Sequence, residues 1–247
     1  MTYQAPRDGA PVYELNTRIR YSEVDHRGTL TIPALINCFQ DCSTFQSAEI
    51  GMNIGKLHED RQGWVLTHWQ IVIDRYPGLC EHVVVGTFPS SFKGVAATRF
   101  FYMRDAQGEL VARARSTWAF MDFGKGRLMR PDPELVKAYG TAEPLEMPDE
   151  ERRVRVPAAS TPCEPLTVRL HQIDTNEHVN NGQYVQMALE VLPRELDPAS
   201  IRVDYRRAAV LDDTIYPMVG QEDGRFVVAL NGSDGEPYAV VEFISAA

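Results

Sequence analysis

Two stretches of this chain follow one pattern, and that repetition limits the possible fold more than any other feature. Residues 19–36 read IRYSEVDHRGTLTIPALI, and residues 168–185 read VRLHQIDTNEHVNNGQYV. They align without a gap at an offset of 149, 168 against 19 and 174 against 25. Arg20 meets Arg169, Val24 meets Ile173, Asp25 meets Asp174, Leu30 meets Val179 and Leu35 meets Tyr184. Each copy reads as a short strand, a turn opened by aspartate, and then a helix.

The helices have local causes. Thr31 is a capping residue, and Pro33 suits a first turn, where its missing N–H has no intrahelical partner to lose. Leu35, Phe39, Cys42 and Phe45 recur at helical spacing, and Gly51 is a stop. In the second copy Asn180 or Asn181 caps, Tyr184, Met187, Ala188 and Val191 form the apolar stripe, and Pro193 ends it. Strand-like runs follow each helix: Trp64–Ile73, His82–Phe88, Thr98–Asp105 and Glu109–Asp122 after the first, then Ile201–Arg207, Asp213–Gly220, Arg225–Leu230 and Tyr238–Ile244 after the second. Turns are expected at Pro77-Gly78, Ala106-Gln107-Gly108, Lys125-Gly126, Asp223-Gly224 and Asp234-Gly235.

A helix followed by an antiparallel meander buries its stripe against one face of its own sheet. Two such units can pair side by side through their edge strands, which removes exposed edges. The expected fold is therefore α+β in two tandem repeats, each a long helix packed on an antiparallel sheet, with the sheets joined edge to edge. Pro131–Pro165 holds seven of the 16 prolines and the acidic run PDEE, and reads as the crossing between units. The expected boundaries are 1–140 for the first repeat, 141–166 for the linker and 167–247 for the second repeat.

Composition narrows the function classes. A net charge of −9 argues against a nucleic-acid partner, whose phosphates would be repelled on average. No stretch approaches about 18 consecutive apolar residues, so membrane insertion is not expected. The opening MTYQAPRDGA has no basic segment followed by an apolar run, so no secretory signal is expected. Cys38, Cys42, Cys80 and Cys163 have no CxxC spacing, and no histidine completes a zinc site with them. They read as thiols of a protein in a reducing cytoplasm. Without a glycine-rich phosphate loop or a metal motif, no cofactor and no metal is expected.

The densest polar group is DTNEHVNN, Asp174 to Asn181. Asp174, Asn176 and His178 are spaced two apart, so an extended strand end or turn can aim all three to one side. Behind them lies a helix N-terminus, whose unpaired N–H groups and positive dipole end favour a developing oxyanion. Asp and Asn around a helix start also serve as ordinary caps and turn residues. His178 has no such capping reason, and its ring titrates near neutral pH. A carboxylate, an amide and an imidazole beside N–H donors are parts for water-mediated acyl hydrolysis.

With its two helix-plus-meander units, the segment RLHQIDTNEHVNNGQYVQMALEVLP resembles the acyl-acyl carrier protein thioesterases. The family pattern, roughly Asp-x-Asn-x-His-Val-Asn-Asn-x-x-Tyr, is met by Asp174, Asn176, His178, Val179, Asn180, Asn181 and Tyr184. The resemblance implies a double hot-dog fold and hydrolysis of fatty acyl-carrier thioesters, with acyl carrier protein as partner. It makes Asp174, Asn176 and His178 the catalytic set, and has Asn181 and Gly182 hold the thioester oxygen through backbone N–H. Either water, deprotonated by His178, or Asp174 itself attacks the carbonyl. In the first copy Arg27 and Thr29 stand where Asn176 and His178 stand in the second. One working site per chain is therefore expected, with the first repeat lining the acyl pocket through Trp64, Leu66, Trp69 and Phe45.

Related families follow Tyr-Arg-Arg with Glu and often Cys, whereas here Tyr205, Arg206 and Arg207 are followed by Ala208 and Ala209. Arg18 with Arg20, Lys125 with Arg127 and Arg130, or Arg206 with Arg207 are candidates for a docking patch. An acyl-coenzyme A thioesterase, a hydratase or dehydratase of acyl thioesters, and a silent acyl-binding module share much of this pattern. The chain is expected to be a monomer or a homodimer.

Overall fold

The computed structural model describes residues 12–149, 153–194, 196–222 and 224–245, with only the backbone at Ile54, Leu57 and His58. The opening MTYQAPRDGA, Glu150 and Glu151 of the acidic run, and Asp223 of the expected turn lie outside the described residues. The chain forms two compact units. One runs through Thr67 and adds Ile73–Met147; the other comprises His68–Val72 and the chain from Pro148 onward.

The first unit contains strand β1 (Tyr13–Arg18), helices α1 (Ile32–Glu49) and α2 (Ile54–Asp60), and strands β2 (Gln62–Ile73), β3 (His82–Lys93), β4 (Ala96–Asp105), β5 (Leu110–Asp122) and β6 (Arg127–Leu128), followed by helix α3 (Pro133–Tyr139). Its sheet runs β1-β3-β4-β5-β2, with β6 on β5. Thr31 caps α1 by accepting the Ala34 N–H at 3.3 Å, and Pro33 lies in the first turn. Leu35, Phe39 and Cys42 are buried on the sheet side, where Phe39 meets Phe101 at 5.4 Å and the Cys42 thiol points at the Val85 carbonyl, 3.4 Å away. Helix α3 is an element the proline-rich reading of Pro131–Pro165 did not contain. Asp132 caps it by accepting the Glu134 N–H at 2.8 Å, and Gly140 ends it.

The second unit contains the short strands β7 (Thr161–Pro162) and β8 (Leu166–Thr167), helix α4 (Asn181–Glu190), and strands β9 (Pro198–Tyr205), β10 (Thr214–Glu222), β11 (Arg225–Asn231) and β12 (Pro237–Ser245). His68–Val72 of β2 pair with β9, and the order continues β9-β12-β11-β10-β7, with β8 on β10. Helix α4 packs on β11 and β12. Each unit thus sets a helix on a largely antiparallel sheet, and the fold is a double hot-dog of the α+β class. The chain at Val154 packs on the second sheet. Val154 is buried there against Val227, Ala229 and Val240, and Pro148 accepts a hydrogen bond from Gln70 at 2.9 Å.

The short strand expected at the head of each copy is not there. Both segments form a 3-10 turn instead, Tyr21–Glu23 and Leu170–Gln172. The cause is the same in each: the side chain three residues on, Glu23 or Gln172, accepts the backbone N–H of Arg20 or Arg169 at 2.7 Å and bends the chain.

One contact in the first sheet is unusually intolerant. Gly86 faces Tyr102 across β3 and β4, and a Cβ at Gly86 would lie 2.0 Å from Tyr102 Cζ. The ring is held in place by its hydroxyl, which donates to Glu14. Gly86→Ala is therefore expected to destabilise by about 1–3 kcal/mol through forced displacement of that ring. Chemical denaturation would read this as a lower midpoint, and an unchanged midpoint would contradict the contact.

Candidate active site

The turn before α4 is built from one carboxylate. Asp174 N–H donates to the His178 carbonyl at 2.8 Å, Glu177 N–H returns to the Asp174 carbonyl at 3.1 Å, and Asn176 N–H donates to Asp174 Oδ1 at 2.8 Å. Ile173 bridges Val179 across the base of the turn. Closing so short a loop needs one residue in the left-handed region, and Glu177 takes it at φ 61°. A non-glycine residue there costs about 1 kcal/mol or more.

The first copy repeats this turn bond for bond. Asp25 N–H donates to the Thr29 carbonyl at 2.9 Å, Arg27 N–H donates to Asp25 Oδ1 at 2.9 Å, and Val24 bridges Leu30. Gly28, at φ 75°, occupies the left-handed position. The two aspartates differ in what else they hold. Thr29 N–H adds a second bond to Asp25 Oδ1 at 3.0 Å, and the Arg27 side chain closes Oδ2 at 2.8 Å. Burial pushes the Asp25 carboxyl up, but the Arg27 side chain and the two N–H groups outweigh it and hold it below the ordinary range. Asp174 Oδ2 has no partner among the described residues.

The three residues expected to act together differ in exposure. Asp174 is half-buried, while Asn176 and His178 are exposed. The imidazole of His178 makes no hydrogen bond or ion pair among the described residues. A cavity of about 540 Å³ in the second unit is lined by Arg153, Arg155, Arg202, Arg225, Glu222 and Glu242 among others, and includes none of the three.

Helix α4 begins behind the turn. Asn180 is the cap, and its Oδ1 accepts the Gly182 N–H at 2.9 Å. The Gly182 N–H expected to meet a thioester oxygen is thus spent on the cap. Asn181 is the first helical residue, and its carbonyl accepts the Tyr205 hydroxyl at 2.9 Å. Tyr184 accepts the Ala209 N–H at 2.8 Å, and Val179 N–H donates to the Ala209 carbonyl at 2.9 Å. These two bonds tie the segment after β9 to the turn. Burial pushes the Tyr184 phenol up to about 12 despite the Ala209 bond, so it is neutral at physiological pH. Ala208, where related families carry Glu, is exposed beside this tie.

Of the pocket candidates in the first unit, Trp64 is half-buried, 4.7 Å from Phe120 and 5.9 Å from Phe92. Leu66 is buried there too, whereas Trp69, also buried, lies in the stretch of β2 that belongs to the second unit, not the first as expected. Phe45 is 40% exposed, because Gln46, one residue on, takes the inward position of α1. Among the proposed docking cations, Arg207 is held bidentately by Asp234 at 2.6 and 2.7 Å, and Lys125 by Asp122 at 3.0 Å. Sequence reasoning missed one buried pair in the second unit. His68 Nδ1 lies 2.8 Å from Asp204 Oδ1, and Asp204 Oδ2 accepts the Val154 N–H at 2.8 Å. No spacing signal joins residues so far apart in the chain.

The Asn180 cap sets where α4 starts and so where the turn ends. Asn180→Ala should cost about 0.5–2 kcal/mol of stability. It should also free the Gly182 N–H, which amide exchange would report as faster exchange at that position. Unchanged exchange at Gly182 would mean the cap bond is not formed in solution.

The chain matches known proteins over nearly all its described length. The model of the acyl-ACP thioesterase N-terminal domain matches residues 10–139, and that of the C-terminal domain matches residues 157–242. An oleoyl-acyl carrier protein thioesterase 2 of Arabidopsis thaliana is 28% identical over 242 residues, covering 88% of this chain and 65% of that protein. A palmitoyl-acyl carrier protein thioesterase of Gossypium hirsutum is 26% identical, covering 89% of this chain and 57% of that protein. The chain thus spans under two thirds of the length of these relatives. The crystal structure of an acyl-ACP thioesterase from Bacteroides thetaiotaomicron superposes with a TM-score of 0.86 at 24% identity, covering 95% of this chain and 97% of that one. A 12:0-ACP thioesterase from Umbellularia californica superposes at 0.83 and 21% identity over 95% of this chain and 97% of that one. With both family models matched in order and the turn of the second unit carrying the family's motif, this chain belongs to the acyl-ACP thioesterase family.

Proposed function

We propose that this chain hydrolyses fatty acyl-acyl carrier protein thioesters to free fatty acid and the carrier's thiol. One observation carries the reading: the same turn occurs twice, closed by Arg27 in the first unit and, in the second, left with an open carboxylate oxygen in a turn that also carries the exposed His178. Asp174, Asn176 and His178 are the catalytic residues of this reading. His178 takes a proton from water, the oxygen adds to the thioester carbonyl, the C–S bond breaks, and the proton passes to the leaving thiolate. In this reading Asp174 Oδ2 accepts from the water, and Asn176 orients the same water. The developing oxyanion faces the N-terminus of α4 at Asn181. The Gly182 N–H joins it only if the Asn180 cap opens.

The first repeat, 1–140, holds the acyl chain in this reading, with Trp64 in its aromatic cluster, and 167–247 carries the chemistry. A fatty chain gains about 0.8 kcal/mol per buried methylene, so the depth of that compartment sets chain-length preference. The relatives named as oleoyl- and palmitoyl-carrier thioesterases support the carrier-linked substrate. Four free thiols support a reducing, cytoplasmic setting.

The test compares matched carrier and coenzyme A thioesters over several chain lengths, using the native protein and His178→Ala. Thiol release from the carrier substrate should fall by about 10²–10⁴-fold in the variant. Equal turnover of the coenzyme A substrate would move the assignment to an acyl-coenzyme A thioesterase. Full activity in His178→Ala would end the mechanism.

A further inference from the structure

The first unit buries a cation that no carboxylate answers. Arg99 on β4 is 8% exposed. Its Nη1 donates to two neutral oxygens, Gln46 Oε1 on α1 and, at 3.1 Å, Thr87 Oγ1 on β3. Its guanidinium lies 5.3 Å from the centre of the Tyr139 ring, and that ring is anchored by a 2.8 Å contact between its hydroxyl and Ser47 on α1. No Asp or Glu pairs with Arg99 among the described residues, and neither Nε nor Nη2 has a hydrogen-bond partner there. Those two nitrogens are also not among the fully sealed, unpartnered polar atoms.

A guanidinium offers five donors in a rigid fork, and leaving part of it dry and without a counter-charge is unfavourable. The other buried arginine among the described residues shows the usual solution, with Arg202 set against Glu242. Burial, against upward pulls from Tyr139 and Cys42, draws the Arg99 pKa down to about 10, which leaves it charged at neutral pH. Its side of β4 is the helix side. Phe101, two residues on, packs tilted against Phe39 of α1, and Tyr139 belongs to the aromatic cluster that includes Trp64, Phe92 and Phe120. The unspent donors therefore sit within the apolar layer between α1 and the first sheet.

We propose that Arg99 forms a polar subsite in the acyl compartment, taking chains that carry an oxygen acceptor away from the thioester in preference to plain chains of equal length. This rests on the reading that the first unit holds the acyl chain. The acceptor can be a hydroxyl, an oxo group or a terminal carboxylate, since each supplies the lone pairs that Nε and Nη2 lack. A plain chain leaves them dry. A hydrogen bond to a charged group corresponds to a preference of about tenfold to a hundredfold.

Gln46→Glu tests the idea without emptying the core, because it sets a carboxylate of the same shape against Arg99. The probes are non-hydrolysable acyl amides of one chain length, either plain, hydroxylated, oxo-substituted or terminally carboxylated, with dissociation constants measured by calorimetry. The native protein should bind at least one oxygenated amide tenfold or more tightly than the plain one. Gln46→Glu should show a raised thermal midpoint and lose that preference, and Arg99→Met, where it folds, should lose it too. Which amide is favoured identifies the substituent. Equal binding of plain and oxygenated amides by the native protein, no measurable binding of any oxygenated amide, or a preference that survives Gln46→Glu would each overturn the proposal. The same chains presented as carrier thioesters separate the two claims. If the amide preference holds but no thiol is released, hydrolysis fails and the subsite stands; if thiol is released from all chains equally, hydrolysis stands and the subsite fails.

Discussion

An aspartate carboxylate accepting the N–H two residues ahead is the contact on which both units depend. Backbone N–H groups in a turn this tight have no helix or sheet partner, and a side-chain oxygen is the nearest acceptor. Asp25 and Asp174 supply it at the same place, and the isolated bridges Val24–Leu30 and Ile173–Val179 then close the loop. Once the loop is closed, the chain leaves it at a fixed angle into Thr31 or Asn180, each of which caps the helix that follows. The carboxylate thus fixes the loop from which each helix starts.

The two units have used the same device differently. In the first, Arg27 saturates the aspartate, and the left-handed position is relieved by glycine. In the second, the carboxylate keeps an open oxygen, and Glu177 holds the left-handed position at a cost in strain. A turn that only had to be stable would resemble the first. The second gives up a salt bridge and a relaxed backbone, which fits the tendency of strain and unspent polar groups to gather at functional sites. The inverse holds inside the first unit, where the surplus is a buried guanidinium rather than a carboxylate.

Much of this was legible in the sequence because it rests on local chemistry. The capping by Thr31, the meander strands and the Asp174–His178 turn all follow from residues within a few positions of one another, and the offset of 149 follows from two such local patterns being alike. What was not legible depends on contacts distant in the chain or on competition between neighbours. Phe45 fits the helical spacing as well as Gln46 does, yet Gln46 turns inward, to Arg99 on another strand. Helix α3 lies in a segment whose prolines suggest an irregular crossing, but Pro133 at a helix start is compatible with the helix that Asp132 caps. The His68–Asp204 pair joins strands through the register of β2 on β9, which no single-sequence period reports.

The departure from the family at Ala208 and Ala209 can be understood from which atoms do the holding. Both bonds that tie this segment to the turn are made by the main chain of Ala209, its N–H to the Tyr184 hydroxyl and its carbonyl to the Val179 N–H. Neither depends on the side chain at 208 or 209, so replacing an acid and a thiol with alanine leaves the scaffold of the turn intact. The exposed side chain at 208 can therefore change without disturbing those bonds, whereas Asp174 cannot, because its carboxylate is part of the loop itself. On this argument the structural constraint and the chemistry coincide at one residue, and that coincidence explains why aspartate persists in both copies while the residues around it have diverged.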